Sequence, residues 1–250
     1  MGVVRSEPEV QALPARVIHE SDRMRQLFRE RIRQKVEREK KRMKQQIDED
    51  APWWISWAVK PLAAFMFDRE RARDAAVGRA GERRASLSFW LLLPSSWVVI
   101  HDAVLEPEPE EFIQIDHLLV GPPGVCLVET KSWEGAFLCR GDRWLRKDGG
   151  RWVPCKSPTA QSLRHARLFR RWVATTLADR VPAGEWVRPV ILLTGTSWLR
   201  VEGSSVPVFE SGAALAWHLR GQTRDAILTP AQVNTVAEAV ANAGPCDHRA

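Results

Sequence analysis

A turn flanked by two apolar segments constrains the fold of this chain more than any other feature. The segments FIQIDHLLV (112–120) and VCLVETK (125–131) lie on either side of GPPG at 121–124. Both segments are rich in aliphatic and β-branched residues, which favour strands, and the glycines and prolines between them favour a tight turn. The sequence therefore predicts an antiparallel hairpin, in which the numbers of opposite residues add up to about 245.

Each predicted strand of this hairpin carries a carboxylate beside its apolar residues. Asp116 interrupts the first segment, and Glu129 follows the last aliphatic residue of the second, so the predicted register places them opposite one another. Lys131 projects on the same face as Glu129, because side chains alternate along a strand. Two adjacent carboxylates repel one another unless a cation lies between them, and their oxygens suit Mg²⁺ or Mn²⁺. The pattern indicates a divalent-metal site beside an ammonium group, with a surface ion cluster as the alternative.

The remaining strand and helix patterns predict the fold class. Further strands are predicted over 97–105, 187–194 and 206–209, with an exposed hairpin over 136–153. Helices are predicted over about 68–89, 157–177, 211–220 and 230–242. The acidic stretch EPEPEE is expected to be a linker between the first two strands. Strands cluster in the first half and alternate with helices in the second, which predicts an α/β fold with a mixed sheet flanked by helices.

The N-terminal part of the chain differs in composition from this predicted domain. Residues 20–50 are predicted to form a charged helix that is solvated or partner-binding, with a specific nucleic-acid-binding arm as the alternative. Residues 51–67 are apolar and tryptophan-rich, but they are shorter than the roughly 20 residues that cross a bilayer. That segment either packs on the domain or lies at a membrane interface. We divide the chain into three parts: a helical N-terminal extension (1–50), an apolar segment and linker (51–74), and a globular domain (75–245).

Charge and cysteine content limit the classes of function. The net charge of +6 is spread thinly over the chain, so it does not by itself identify a polyanionic partner. The four cysteines form no CxxC pair and no zinc-like spacing. We therefore expect free thiols that act as small apolar side chains in the reducing cytoplasm.

The ordered motifs resemble a known family of nucleases. An acidic residue, about a dozen further residues and then Glu-x-Lys on the next strand is the pattern of the PD-(D/E)xK nuclease superfamily. More narrowly, the chain resembles the NERD (nuclease-related) domain over roughly residues 75–195, which implies a restriction-endonuclease-like fold. The matching residues are Gly78-x-x-Gly81-Glu82, Ile115-Asp116-His117, Gly124-Val125, Glu129-Thr130-Lys131, Trp133 with Gly135, and Pro158-x-x-Gln161.

This resemblance implies a metal-dependent mechanism. Asp116 and Glu129 would bind Mg²⁺ or Mn²⁺, with the carbonyl of Thr130 as a third ligand. Lys131 would activate the attacking water and hold the scissile phosphate. A metal that neutralises the phosphate charge and generates the nucleophile agrees with the chemistry of phosphodiester hydrolysis.

Residues on two helices would complete the site that the resemblance implies. Glu82 would add a carboxylate, and Gln161 would orient the lysine or the water. RecB-like members of the superfamily carry Gln-x-x-x-Tyr on the later helix, whereas this chain has Gln161-Ser-Leu-Arg-His165, so His165 would bond to phosphate or stack beside it.

The helix that begins near Pro158 also presents a basic stripe next to Gln161 and His165. At 100° per residue the arginines fall on one side of the helix, opposite its apolar residues. They would contact nucleic-acid phosphates, although an amphipathic helix also exposes arginines that have no partner. The stripe consists of Arg164, Arg167, Arg170 and Arg171.

Two functions are consistent with these patterns. The first is a Mg²⁺-dependent nuclease, for which we expect DNA rather than RNA as the substrate. The alternative is a catalytically silent nucleic-acid-binding or assembly module, in which residues 20–67 contact a protein or a membrane surface. We expect a cytoplasmic location in both cases.

Overall fold

The structure is a computed structural model that describes residues 14–18, ten positions between 24 and 41, and residues 85–109, 111–222 and 226–244. Among these residues, eight strands form one mixed sheet. The strands are β1 (Arg16–Ile18), β2 (Val98–Glu108), β3 (Glu111–Gly121), β4 (Gly124–Arg140), β5 (Arg143–Asp148), β6 (Arg151–Pro154), β7 (Val187–Glu202) and β8 (Val208–Phe209). The flanking helices are α1 (described over 85–92), α2 (Pro158–Thr176), α3 (Gly212–Gly221) and α4 (Pro230–Ala241), with a 3₁₀ turn at Ala178–Arg180. The predicted α/β class is confirmed.

The hairpin of β3 and β4 forms in the predicted register. Gly121 lies opposite Gly124, and the pairing continues without a shift to His117 opposite Val128. Gly124 has a φ of +119°, and a Cβ at this position would lie 2.2 Å from the carbonyl oxygen of Trp186. Only glycine tolerates that backbone approach. The turn therefore fixes which residues of the two strands meet.

Strands β4 and β7 are longer than the sequence predicts. β4 continues past Lys131 to Arg140, and β7 continues past Thr194 to Glu202. The two strands pair in parallel along this whole length, with bulges on either side of Gly135. β5 and β6 then extend the sheet from β4, so the predicted hairpin over 136–153 is part of the main sheet.

The acidic stretch EPEPEE is not the linker that the sequence predicts. β2 runs through it to Glu108, and β3 begins at Glu111. The strand tolerates Pro107 because the register of β2 and β3 shifts between Leu105 and Glu108, and proline is accepted at such a bulge.

Helices cover both faces of the central sheet. α2 and α4 pack on one face, against β2 and β3 and the start of β4. α1 and α3 pack on the other face, where Phe89 and Leu215 contact side chains such as Val99 and Val128. Ser157 caps α2 by accepting a hydrogen bond from the Ala160 N–H at 3.2 Å. The cap and the apolar face of α2 place its first turns above β4.

Several predictions fall on parts of the chain outside the described residues. Glu82 and the apolar segment 51–67 lie there, so the three-part division of the chain stays a prediction. The ten described positions between 24 and 41 are helical, in agreement with the predicted helix over 20–50. Within the described part of the chain, no helix has the length and apolarity needed to cross a membrane.

Candidate active site

Glu129 is the centre of the predicted site. β4 places Val125, Leu127 and Glu129 on one face, and the first two contact the core beneath α2. The carboxylate of Glu129 is therefore buried against the start of this helix. A buried carboxylate requires hydrogen-bond donors or an opposite charge around it.

Three side chains surround the Glu129 carboxylate. Lys131 Nζ donates to Oε1 at 2.5 Å, and Gln161 Nε2 donates to the same oxygen at 2.6 Å. His165 Nδ1 lies 3.3 Å from Oε2. The structure thus brings together Glu129, Lys131, Gln161 and His165, as the sequence predicts. It places His165 on a protein carboxylate.

These donors keep Glu129 ionised. Burial on its own would raise the pKa of Glu129. The hydrogen bond from His165, together with the charge and hydrogen bond of Lys131, outweighs burial, so the pKa lies below its usual value. Glu129 is therefore an ionised carboxylate at neutral pH, although it is largely buried.

Asp116 lies beside this group, on the neighbouring strand. Its Oδ2 accepts a hydrogen bond from the Thr130 backbone N–H at 2.7 Å. Asp116 is one residue beyond the last pair of the β3–β4 ladder, and Thr130 is two residues beyond it. In a regular ladder a residue turns its N–H and its carbonyl towards the same neighbouring strand, so we expect the Thr130 carbonyl on the Asp116 side of β4. Thr130 Oγ1 is buried and has no hydrogen-bond partner among the described residues.

One edge of β4 is open at this point. Among the described strands, β3 pairs with β4 as far as Val128, and β5 pairs with it from Phe137 onwards. Among the described strands, β7 is therefore the one that pairs with residues 129–132, 135 and 136. We call this gap the open edge. Because Asp116 and Thr130 lie at its start, a substrate could reach them without displacing a strand.

The basic stripe of α2 is largely paired with groups of the protein itself. Arg164 Nη2 lies 2.5 Å from Glu111 Oε1, and Arg171 forms an ion pair with Glu108. Arg170 Nη2 donates to the Val187 carbonyl at 2.7 Å. Arg167 is exposed. The contact of Arg164, Arg167 and Arg171 with nucleic acid stays a prediction, and a phosphate would have to compete with Glu108 and Glu111 for two of them.

Two histidines contact one another on the opposite face of the sheet, and sequence reasoning did not predict this contact. Nδ1 of His117 lies 2.9 Å from Nδ1 of His101 on β2. Burial and then the neighbouring His101 lower the pKa of His117 to about 3, so its ring is neutral. The signal was the lone histidine within an apolar strand, but its partner depends on the register between β2 and β3.

The donor set at the open edge suits a hard cation. Asp116 and Glu129 supply carboxylate oxygens, and Thr130 supplies a carbonyl, which are the ligand types that Mg²⁺ and Mn²⁺ prefer. Within the described residues, no cluster of three or more His, Cys, Asp and Glu side chains is arranged to bind a metal ion. Any metal site here therefore depends on two side chains with backbone and solvent oxygens, which is common for Mg²⁺.

The part of the chain that contains this site matches a known protein-family model. Residues 77–194 match the model of the nuclease-related domain, NERD. The resemblance seen in the sequence is confirmed over this range. The matched range contains Glu129 and the three side chains that converge on it, together with Asp116. This family match indicates a nuclease-related function and an interaction with nucleic acid.

Other comparisons add little about the activity. A protein of Bacillus anthracis that is named as uncharacterized is 29% identical over 94 residues, which are 37% of this chain and 44% of that relative. The chain thus matches less than half the length of that relative. No solved structure is significantly similar to the chain.

Proposed function

We propose that the region matching the nuclease-related domain is a Mg²⁺-dependent nuclease that hydrolyses phosphodiester bonds in DNA. The observation that carries the proposal is the convergence of Lys131, Gln161 and His165 on the buried Glu129, next to Asp116 at the open edge. This cluster lies where one edge of β4 has no partner among the described strands. It suits a site that must admit a phosphate.

Asp116, Glu129 and the carbonyl of Thr130 would hold the metal ion. The low pKa of Glu129 and the hard oxygens of the set support this assignment. When bound, the metal would neutralise the phosphate charge and lower the pKa of a coordinated water. The contact between Asp116 and the Thr130 N–H holds the two strand segments side by side, so both would face the same ion.

Lys131 is the residue that would act on the substrate. Its side chain is 25% exposed, whereas that of Glu129 is 6% exposed. The ammonium can therefore turn from Glu129 towards a phosphate at the open edge. Gln161 and His165 would remain on Glu129 during this movement, so the carboxylate would keep its orientation. We assign phosphate binding and water activation to Lys131 and positioning roles to Gln161 and His165.

One observation supports a second candidate function. Lys131 and Gln161 both contact Oε1 of Glu129, the same carboxylate that a metal would need. If these hydrogen bonds persist, Oε1 is not free to bind a metal ion. The chain would then bind nucleic acid without cutting it. This is the catalytically silent module, whose further contacts would come from residues 20–67.

A substrate panel tests the proposal. Supercoiled plasmid, linear duplex, single-stranded DNA and single-stranded RNA are incubated with Mg²⁺ or with EDTA. We expect DNA to be cleaved with Mg²⁺ and not with EDTA. The cleavage rate should fall roughly 100-fold or more in Lys131→Gln and in Glu129→Gln. Glu238→Gln, on the exposed face of α4, is the matched control and should retain full activity. Cleavage that persists in both site variants, or in EDTA, would contradict the proposal.

A further inference from the structure

The part of the sheet beyond the open edge carries a surface that the proposed mechanism does not use. Here the last residues of β4 and β7 pair with one another, and β5 and β6 continue the sheet. Trp152 and Trp198 are 38% and 45% exposed on this extension. Large aromatic side chains are costly to leave in water, so two of them side by side indicate a contact surface.

The two tryptophans meet across several strands. Trp198 on β7 lies opposite Ala136 on β4, and Trp152 on β6 lies opposite Lys147 on β5. Their ring centroids are only 5.6 Å apart, with an angle of 42° between the rings. In the register, Ala136 on β4 and Lys147 on β5 lie between the indoles, and the small side chain of Ala136 leaves room for the rings to approach one another. The pair forms an exposed aromatic surface on the sheet.

Basic residues lie along the same face of the sheet as this aromatic pair. Strand pairing places four basic residues on the same face: Lys147, Arg143, Arg140 and Arg200. Glu202 shares the face, and its carboxylate accepts from Arg140 at 3.1 Å and from Arg200 at 2.6 Å. Basic side chains thus outnumber acidic ones around the indoles. We call Trp152, Trp198 and these basic residues the tryptophan platform.

We infer that the tryptophan platform binds single-stranded nucleic acid. Exposed aromatic rings beside basic side chains are how proteins bind unpaired strands, because bases stack on the rings while the cations contact phosphates. A duplex keeps its bases stacked on one another and offers no free base to the indoles. The charge complementarity also favours a polyanion over an apolar protein segment.

The position of the platform connects it to the proposed active site. Ala136 follows Lys131 by five residues, which is at most about 17 Å along β4. The platform lies on the face opposite α2, but the open edge between Glu129 and Ala136 joins the two faces. The platform would therefore hold an unpaired strand beside the site, a consequence that rests on the proposed nuclease function.

Fluorescence anisotropy with a labelled oligothymidine of about 20 nucleotides tests the inference. The measurements are made in EDTA, so binding is observed without cleavage, and a duplex of the same length is measured in parallel. We expect Trp152→Ala/Trp198→Ala to weaken single-strand binding about 10-fold or more and duplex binding by less than about twofold. Trp217→Ala removes a tryptophan that is 60% exposed on α3, and it should leave both affinities unchanged.

A second variant removes charge from the platform without touching the rings. Lys147→Gln/Arg143→Gln should reduce the salt dependence of single-strand binding, since fewer counterions are released. Unchanged single-strand binding in the tryptophan variant, or an equal loss in Trp217→Ala, would overturn the inference. If single-strand binding depends on the platform but no DNA is cleaved in Mg²⁺, the result would support this inference and contradict the nuclease proposal.

Discussion

The ion pair of Lys131 and Glu129 provides a quantitative test of the electrostatics of the site. Nζ lies 2.5 Å from Oε1, and the carboxylate is almost completely buried. A hydrogen bond to a charged group contributes roughly 1.5–3 kcal/mol to stability. The partial exposure of Lys131 places this pair at the lower end, because water screens the ammonium. We therefore expect a coupling energy of about 1.5 kcal/mol between Lys131→Met and Glu129→Gln.

The assay is a double-mutant cycle from urea denaturation at pH 7 in EDTA, so that metal binding does not contribute to the free energy of unfolding. The pair of Arg164 and Glu111 is the matched control. It has the same 2.5 Å separation, but its side chains are 45% and 33% exposed. We expect its coupling energy to be below about 0.5 kcal/mol. Equal coupling energies in the two cycles would refute the argument that burial strengthens the pair at the site.

Three further predictions concern the turn, the thiols and α2. Gly124→Ala should lower the free energy of unfolding by about 2 kcal/mol or more, because the new Cβ meets the Trp186 carbonyl. Gly184→Ala, at a φ of +122° in open space, should cost about 1 kcal/mol. Equal losses in denaturation would show that the close approach is unimportant. Burial raises the pKa of Cys126 to about 12, so mass spectrometry should find it unalkylated at neutral pH until the protein unfolds, and rapid labelling would contradict its burial. Gln161→Leu should lower kcat for DNA cleavage by about 10-fold or more, because Glu129 loses a positioning donor, and an unchanged kcat would exclude that role.

The sequence predicted the parts of the site that depend on local rules. The GPPG turn and the two-residue alternation determine which residues of β3 and β4 meet, so the proximity of Asp116 and Glu129 could be inferred. The N-terminal cap by Ser157 and the helical period likewise place Gln161 and His165 on one face of α2. These features require no knowledge of distant strands.

Features that depend on long-range pairing could not be predicted. The sequence predicts that β4 ends at Lys131, because charged and small residues follow the apolar run. The strand continues because β7 pairs with it, and the open edge tolerates those polar residues. The ion pairs of Arg164 and Arg171 with Glu111 and Glu108 have the same origin. Glu108 is the last residue of β2 and Glu111 is the first residue of β3, so these ion pairs depend on where the connection between the two strands lies relative to α2.

Binding of Mn²⁺, followed by electron paramagnetic resonance, tests the central claim most directly. Bound and free Mn²⁺ give distinct signals, so the titration counts metal ions without a substrate. We expect a single Mn²⁺ per chain that is lost in Asp116→Asn/Glu129→Gln and retained in Glu238→Gln. No bound Mn²⁺ in the wild-type protein, or the same binding in the double variant, would contradict the claim that these two carboxylates form a metal site.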